Sequence, residues 1–337
     1  MARLLITGGA GFIGSCFVRQ SVAHGDEVFV FDALTYAGHK ENLKGVDCAF
    51  MEGNICDGRK VAKLIELFKP DAVINFAAES HVDNSIAAPA EFIQTNIVGT
   101  YTLLEASRTY WEKLPAKKKK DFRFIQVSTD EVYGSLGKTG KFKETSRYQP
   151  NSPYSASKAG ADHLVRAWHH TYGMPTIVTN CSNNYGPRQH PEKLIPNMIN
   201  CALNSKKLPV YGNGKNVRDW IHVEDHCNGI YLALTKGKAG ETYNFGGNAE
   251  KENIAVVNSI CEALDKLKPH KDKKSYKKQI AFVKDRPGHD LRYAIDDSKA
   301  RKQLGFKTKH DFKSGLHSTI KWYLKNQPWC NSVLKRK

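Results

Sequence analysis

LLITGGAGFIG, residues 4–14, takes the chain from an apolar run into a cluster of glycines and on into an amphipathic segment. Gly8, Gly11 and Gly14 have the spacing of the turn that joins the first strand to the first helix of dinucleotide-binding domains. Glycines let backbone N–H groups and the helix N-terminus approach a pyrophosphate. Asp32 ends the next strand-like run, where a carboxylate binds a ribose diol and repels a 2′-phosphate. This stretch therefore predicts an α/β domain that binds NAD rather than NADP.

The first half of the chain alternates apolar runs with helical patterns, which predicts a parallel sheet covered on both faces. The strand-like runs are 3–7, 27–31, 48–51, 72–76, 122–128 and 176–180, and the helical stretches lie near 12–24, 58–68, 90–110 and 153–172. We expect a Rossmann-type doubly wound parallel sheet with a smaller carboxyl-terminal substrate-binding lobe. The predicted boundaries are 1–180 for the NAD-binding domain, completed by segments near 217–246, and 181–337 mainly for the second lobe.

Composition narrows the class of protein. The 337 residues carry a net charge of +17, which lysine-rich loops and a basic tail explain as a solvated surface. No nucleic-acid-binding module is recognisable, so we expect no nucleic-acid partner. No apolar run is long enough to span a membrane. The eight cysteines are scattered without metal-ligand spacing, so we expect reduced thiols, no metal and a cytoplasmic location.

Two further motifs carry chemistry. Tyr154 and Lys158 open a predicted helix four residues apart, so their side chains lie on one face, where an ammonium favours the phenolate of a tyrosine that acts as a base. The strand-like run 122–128 ends directly in Asp130 and Glu131. An elimination needs one acid and one base, and neighbouring carboxyls repel until one holds a proton.

The glycine turn, STDEVYG, YSASK, NNYGP, PEKLIP and RPGHD together resemble the extended short-chain dehydrogenase/reductase family. Within it the chain is similar to the nucleotide-sugar 4,6-dehydratases, from Leu4 to about Tyr323. The related 4-epimerases generally lack the acidic pair of TDE. The resemblance implies an NAD-dependent 4,6-dehydration of a nucleotide diphosphate hexose, dTDP-glucose first of all, for deoxysugar (rhamnose-type) biosynthesis.

The resemblance also assigns roles to residues. It implies that Thr129 binds the C4 oxygen, that Tyr154 (with Lys158) deprotonates the C4 hydroxyl, that Glu131 removes the C5 proton and that protonated Asp130 delivers a proton to the departing C6 hydroxyl. The implied cofactor contacts are Gly8, Gly11, Phe12, Ile13, Gly14, Asp32, Ala33, Leu34, Thr35, Asn54, Ile55, Phe76, Ala77, Ala78, Ser80, Thr95, Tyr154, Lys158 and Asn184. The implied substrate contacts are Ser85, Thr129, Asn183, Glu192, Lys193, Leu194, Ile195, Pro209, Val210, Tyr211, Arg218, Asn253, Arg286 and His289.

Several alternatives stay open from the sequence. UDP-glucose is a second candidate substrate, because one methyl group on the base is worth only about 1 kcal/mol. A nucleotide-sugar 4-epimerase shares the cofactor turn and the Tyr154–Lys158 pair. An NAD-binding regulatory protein that kept the fold is a third interpretation. By resemblance we expect a homodimer paired through the helices near 90–110 and 153–172.

Overall fold

The computed structural model describes residues 1–270, 272–285 and 287–335. Its strands are β1 (Arg3–Thr7), β2 (Glu27–Asp32), β3 (Ala49–Glu52), β4 (Ala72–Asn75), β5 (Arg123–Val127), β6 (Thr176–Cys181), β7 (Asn183–Tyr185), β8 (Leu208–Tyr211), β9 (Val217–Arg218), β10 (Trp220–His222), β11 (Thr242–Phe245), β12 (Lys251–Glu252) and β13 (Ile280–Val283). Within the described residues, seven of these strands form a parallel sheet of order β11-β6-β5-β4-β1-β2-β3. The predicted doubly wound sheet is confirmed.

The helices surround this sheet and build the second lobe. They are α1 (Phe12–Ala23), α2 (Gly58–Phe68), α3 (Val82–Ala87), α4 (Pro89–Phe92), α5 (Thr100–Trp111), α6 (Ala116–Asp121), α7 (Pro153–Tyr172), α8 (Leu194–Leu203), α9 (Val223–Lys236), α10 (Asn253–Leu267), α11 (Ser298–Leu304), α12 (Phe312–Lys325) and α13 (Gln327–Lys335). Residues Ile93–Gly99 form a π-helical segment between α4 and α5. No helix among the described residues is long and apolar enough to cross a membrane.

Both faces of the sheet are buried, as the continuous apolar strands predicted. Leu4 and Ile6 of β1 pack into a core shared with α1 and α9, whereas Leu5 between them packs into the core shared with α2 and α5. Successive strand side chains point to opposite faces, so a run without polar interruptions needs cover on both sides. Burial of one such leucine contributes about 1.5–3 kcal/mol.

The last strand of the sheet, β11, comes from far along the chain. It pairs with β6 at the sheet edge, and α9 before it packs on α1. The expected completion of the first domain by segments near 217–246 stays a prediction. The domain boundary near residue 180 stays a prediction.

A second core lies between α8, α10 and α12, with the parallel pair β8–β13 at its side. The carboxyl-terminal helix α13 returns to the first domain, where the Trp329 indole N–H donates to Asn42 Oδ1 at 2.9 Å. Asn42 in turn donates to the carbonyl of Ala10 in the glycine turn at 2.9 Å. The two lobes are thus tied together at the turn.

Candidate active site

A cavity of about 740 Å³ lies where the carboxyl ends of the sheet strands face the second lobe. All five predicted catalytic residues line it. So do the predicted cofactor residues Gly8, Gly11, Phe12, Ile13, Gly14, Asp32, Ala33, Thr35, Asn54, Ile55, Phe76, Ala77, Ala78, Ser80, Thr95 and Asn184, and the predicted substrate residues Asn183, Glu192, Lys193, Leu194, Ile195, Pro209, Tyr211, Arg218, Asn253 and His289. Open α/β sheets bind ligands at this edge.

The glycine turn has the shape that a pyrophosphate requires. Gly8 has a φ of +68°, and a Cβ there would lie 2.5 Å from the backbone nitrogen of Ala77. A Cβ on Gly14 would lie 2.2 Å from the Gly8 carbonyl oxygen. Within the described residues, no side chain caps the N-terminus of α1, so its first N–H groups face the cavity beside Gly11. These residues fit the diphosphate of a dinucleotide.

Asp32 sits at the end of β2 on the cavity wall. Its carboxylate accepts hydrogen bonds from the backbone N–H groups of Ala10 (2.9 Å) and Leu34 (2.8 Å). Burial raises the pKa of Asp32, and these two backbone bonds counteract that rise. An ionised carboxylate has about four acceptor positions, so two remain for the hydroxyls of a ribose. The fit to NAD therefore extends beyond the turn.

Asn54 lines the neighbouring part of the cavity, where an acidic residue is usual in the family that the sequence resembles. Its Oδ1 accepts a hydrogen bond from the N–H of Cys56 at 2.8 Å. A carbonyl oxygen has a second lone pair, so Asn54 can still accept from an adenine amino group.

Asp130 and Glu131 lie beyond the end of strand β5. β5 ends at Val127, and Asp130–Tyr133 form a short 3₁₀ helix that begins at Thr129. The Thr129 hydroxyl accepts a hydrogen bond from the N–H of Glu131 at 3.3 Å and so turns the chain. Both carboxyls consequently reach the same cavity, which strand alternation would forbid.

Asp130 is 2% exposed, and its Oδ2 has no hydrogen-bond partner among the described residues. Burial first, then the charges of Glu131 and Asp219, raise the pKa of Asp130 well above its usual range, against the pull of Arg218. Burial and the neighbouring carboxyls therefore favour the protonated form of Asp130.

Burial has the largest effect on the pKa of the Tyr154 phenol. Burial first, and then the Glu131 carboxylate, raise the pKa of Tyr154 well above 10, although a hydrogen bond with the Thr129 hydroxyl lowers it. The Lys158 ammonium donates to the Val127 carbonyl at 2.7 Å and is paired electrostatically with Asp162. Burial and Glu131 thus oppose the phenolate among the groups of the chain itself, and the expected stabilisation by Lys158 together with a bound nicotinamide cation stays a prediction.

A buried network fixes Lys158. Asp162 Oδ2 accepts hydrogen bonds from the Ser128 hydroxyl (2.6 Å) and the Tyr148 hydroxyl (3.1 Å). Burial raises the pKa of Asp162 to about 6, while Lys158, Ser128 and Tyr148 each lower it. The network holds the lysine at the foot of the cavity. Its helix, α7, starts with a capping box of Ser152 and Ser155.

The far end of the cavity is formed by the second lobe. Lys193 donates to the Ser80 carbonyl at 2.9 Å, and Glu192 lies 3.6 Å from the Nε2 of His81, so this loop spans the two lobes. The side-chain oxygens of Asn183 and Asn253 are buried without a partner among the described residues. Unpaired amide oxygens on a cavity wall are acceptors for a ligand.

At this end of the cavity, Arg218 is bonded to backbone carbonyls and His289 to a carboxylate. The Arg218 guanidinium donates to the carbonyls of Val217 (2.8 Å) and Asp290 (3.0 Å) and lies 4.3 Å above the Tyr293 ring. His289 contacts Asp285 Oδ1 at 2.6 Å. A guanidinium held in a fixed position suits a phosphate.

Three predicted contacts among the described residues do not line the cavity. Ser85 is 0% exposed and donates its hydroxyl to the Val82 carbonyl at 2.6 Å, so it serves its own helix. Val210 points into the core of the second lobe, because its neighbours Pro209 and Tyr211 take the opposite face of β8. The backbone N–H of Leu34 donates to the Asp32 carboxylate, so Leu34 supports the cavity wall through Asp32. Arg286 lies outside the described residues.

Sequence reasoning missed other residues of the wall. Cys181 ends β6 and Ser182 follows it, Glu79 follows β4, and Gln189 and His190 lie in the loop after β7. Their position directly after buried strands was the available signal, since the carboxyl ends of parallel strands share one edge. The Asn96 side chain fixes the Glu79 backbone through two bonds, at 2.9 and 3.0 Å, from the π-helical segment.

Comparison with known proteins gives a consistent picture. Residues 5–319 match the family model described as GDP-mannose 4,6 dehydratase. A dTDP-glucose 4,6-dehydratase of Xanthomonas campestris pv. campestris (strain B100) is 57% identical, with 99% of this chain and 96% of that protein covered. dTDP-glucose 4,6-dehydratase 1 of Escherichia coli (strain K12) is 54% identical, with 98% and 95% covered. The crystal structure of DesIV (dTDP-glucose 4,6-dehydratase) from Streptomyces venezuelae with NAD bound has a TM-score of 0.89 at 45% identity, over 98% of this chain and 99% of that one.

Proposed function

The chain belongs to the GDP-mannose 4,6-dehydratase family, and from this membership we propose that its cavity converts dTDP-glucose to dTDP-4-keto-6-deoxyglucose with NAD. The reaction oxidises C4 of the hexose to a ketone, which the product keeps, removes water across C5 and C6, and returns the hydride taken from C4 to C6. The product is a precursor of deoxyhexoses such as those of rhamnose-type glycans.

The first group of residues acts at C4. Bound NAD would accept a hydride from C4, return it to C6 and supply the positive charge that lowers the pKa of Tyr154. Tyr154 takes the proton of the C4 hydroxyl, and the Thr129 hydroxyl, a hydrogen-bond partner of that phenol, orients the C4 oxygen. Lys158, fixed by Val127 and Asp162, keeps a positive charge behind the tyrosine.

The acidic pair acts at C5 and C6. A ketone at C4 makes the C5 proton acidic, and Glu131 removes it. Asp130 gives its proton to the C6 hydroxyl, which leaves as water. The observation that carries this proposal is the placement of Asp130, a buried carboxyl with a raised pKa, directly beside Glu131 and in one cavity with Tyr154. A 4-epimerase has no step that requires such an acid.

The second lobe binds the nucleotide. We assign the diphosphate to the Arg218 guanidinium and to the side-chain amide NH2 groups of Asn183 and Asn253, residues that line the far wall. Tyr211 lies 6.3 Å from the His289 ring, edge to face, and offers a flat surface to the base.

Turnover of dTDP-glucose and UDP-glucose by the same purified protein tests the proposal. We expect a product that is lighter by one water and contains a ketone, formed faster from dTDP-glucose. The recovery of dTDP-galactose without loss of water would support the epimerase instead. No product from either nucleotide sugar would overturn the assignment.

We also propose that the protein is a homodimer paired through the helices predicted for that purpose. Ile93, Tyr101 and Tyr172 expose 46%, 47% and 43% of their surface on neighbouring helical segments. Apolar side chains clustered on two packed helices are typical of an interface. Sedimentation should give twice the chain mass of 37.8 kDa, and Ile93→Glu with Tyr101→Glu should give the single mass. A monomeric wild-type protein would contradict the proposal.

We place the enzyme in the cytoplasm, where its eight free cysteines stay reduced. Reaction of the unfolded protein with a thiol reagent directly after lysis should titrate all eight cysteines. Fewer reactive thiols would indicate an oxidising compartment.

A further inference from the structure

Three side chains outside the cavity converge from two distant segments of the chain. His222 ends β10, Glu224 lies in the first turn of α9, and His310 precedes α12. Their donor atoms all lie within 4.8 Å of one another, which makes them the trio of potential metal ligands found in the described residues. We propose that His222, Glu224 and His310 bind a divalent transition-metal ion such as Zn²⁺, which joins the start of α9 to the segment before α12.

The donor set selects the class of metal. Two imidazole nitrogens and one carboxylate suit Zn²⁺, Co²⁺ or Ni²⁺, whereas Mg²⁺ and Ca²⁺ prefer oxygen ligands. Three protein ligands leave a fourth, tetrahedral position for water. The Glu224 side chain is 53% exposed, so the site is open to solvent on that side.

The neighbours of His310 prepare it as a ligand. Its Nδ1 lies 3.2 Å from Asp225 Oδ2, and its Nε2 lies 3.4 Å from Glu224 Oε2. Asp225 is buried and is itself fixed by the N–H groups of Lys309 (2.9 Å) and His310 (3.0 Å). A carboxylate that accepts from one ring nitrogen leaves the lone pair of the other for a metal.

His222 complements this arrangement. Its ring stacks on that of His310, with centroids 4.0 Å apart and planes 26° apart, so one ring has to rotate about its Cβ–Cγ bond before both imidazoles point at one ion. The Nδ1 of His222 accepts a hydrogen bond of 3.4 Å from the N–H of Glu224.

The position gives the ion a structural task. β10 pairs with β7, whose Asn183 and Asn184 line the cavity. Two residues after Glu224, His226 Nδ1 contacts Asn184 Oδ1 at 3.0 Å. An ion at this point would brace the outer side of the wall that faces the nucleotide, without touching reacting atoms.

Calorimetric titration of the tag-free, chelator-treated full-length protein with ZnCl₂ tests the site. We expect one saturable site per chain, a rise in the unfolding temperature, and an absorption spectrum of four-coordinate Co²⁺ when CoCl₂ is used. Glu224→Gln and His310→Gln should each weaken Zn²⁺ binding at least about tenfold. His317→Gln, an exposed histidine on the nearby α12, should bind as the wild type does.

Absence of a saturable site, or unchanged affinity in Glu224→Gln, would overturn the proposal. An equal loss in His317→Gln would do the same, since it would indicate unspecific binding to surface histidines. Glu224→Gln decides the matter even if His310→Gln fails to fold, because Glu224 is exposed and its side chain supports no core contact.

Discussion

Replacement of Asp130 by asparagine isolates the proton that leaves with the C6 hydroxyl. The side chain is 2% exposed and its pKa is raised by burial and by Glu131. An asparagine has the same shape but no acidic proton. Removal of a buried acid next to another carboxylate should leave the fold intact, and a melting curve of the variant would check this.

The magnitude follows from the single step that is lost. A positioned general acid contributes about 10²–10⁴ in rate, which equals about 3–5 kcal/mol of barrier. We expect Asp130→Asn to form the keto-deoxy product that much more slowly. Because Glu131 and Tyr154 are unchanged, oxidation at C4 and proton removal at C5 should continue.

The assay is turnover of dTDP-glucose in deuterated water. Mass spectrometry follows the loss of water, and NMR follows exchange at C5 of the remaining substrate. Asp130→Asn should retain C5 exchange while losing dehydration, and the matched variant Glu131→Gln should lose both. Wild-type dehydration by Asp130→Asn, or intact C5 exchange in Glu131→Gln, would refute the assigned roles.

Three further predictions concern the framework. In a denaturant titration, Gly8→Ala should lower the free energy of unfolding by more than Gly25→Ala does. Both glycines have a positive φ (+68° and +85°), a strained conformation that alone costs about 1–3 kcal/mol, but only a Cβ on Gly8 would meet backbone, at 2.5 Å. Equal losses in the two variants would contradict this. Burial raises the pKa of Asp162 from its ordinary 3.8 to about 6. Between these two pH values the folded state holds a proton that the unfolded chain has released, so stability falls as pH rises. The free energy of unfolding of the wild type, relative to that of Asp162→Asn, should therefore fall by up to about 1.4 kcal/mol per pH unit in this window and stay constant above it. A difference in urea unfolding that does not depend on pH would contradict the raised pKa. Trp329→Phe should cost about 1–3 kcal/mol by leaving the buried Asn42 oxygen unpaired, and an unchanged urea midpoint would show that the contact between the lobes contributes nothing.

Local sequence predicted the features whose geometry is local. The glycine turn at 4–14 and the Tyr154–Lys158 pair depend on a single turn or a single helix, and the structure places both at the cavity. The helix 153–172 was also predictable to its ends, since Pro153 and Gly173 stop it from extending.

Features that depend on tertiary neighbours could not be read in this way. The pairing register of β8 decides that Tyr211 faces the cavity and Val210 the core. The pKa of Tyr154 depends on burial and on Glu131, and Lys158 is engaged by the Val127 carbonyl of a different element. The contact between Trp329 and Asn42 joins residues 287 positions apart. No sequence spacing reports such pairs.

The most direct test of the central claim follows an isotope through one turnover. dTDP-glucose labelled with deuterium at C4 is incubated with the purified protein in ordinary water, and the product is analysed by NMR. The account predicts dTDP-4-keto-6-deoxyglucose with the deuterium at C6 and a solvent proton at C5. Deuterium found again at C4 of a galactose product, with the C6 hydroxyl retained, would contradict it.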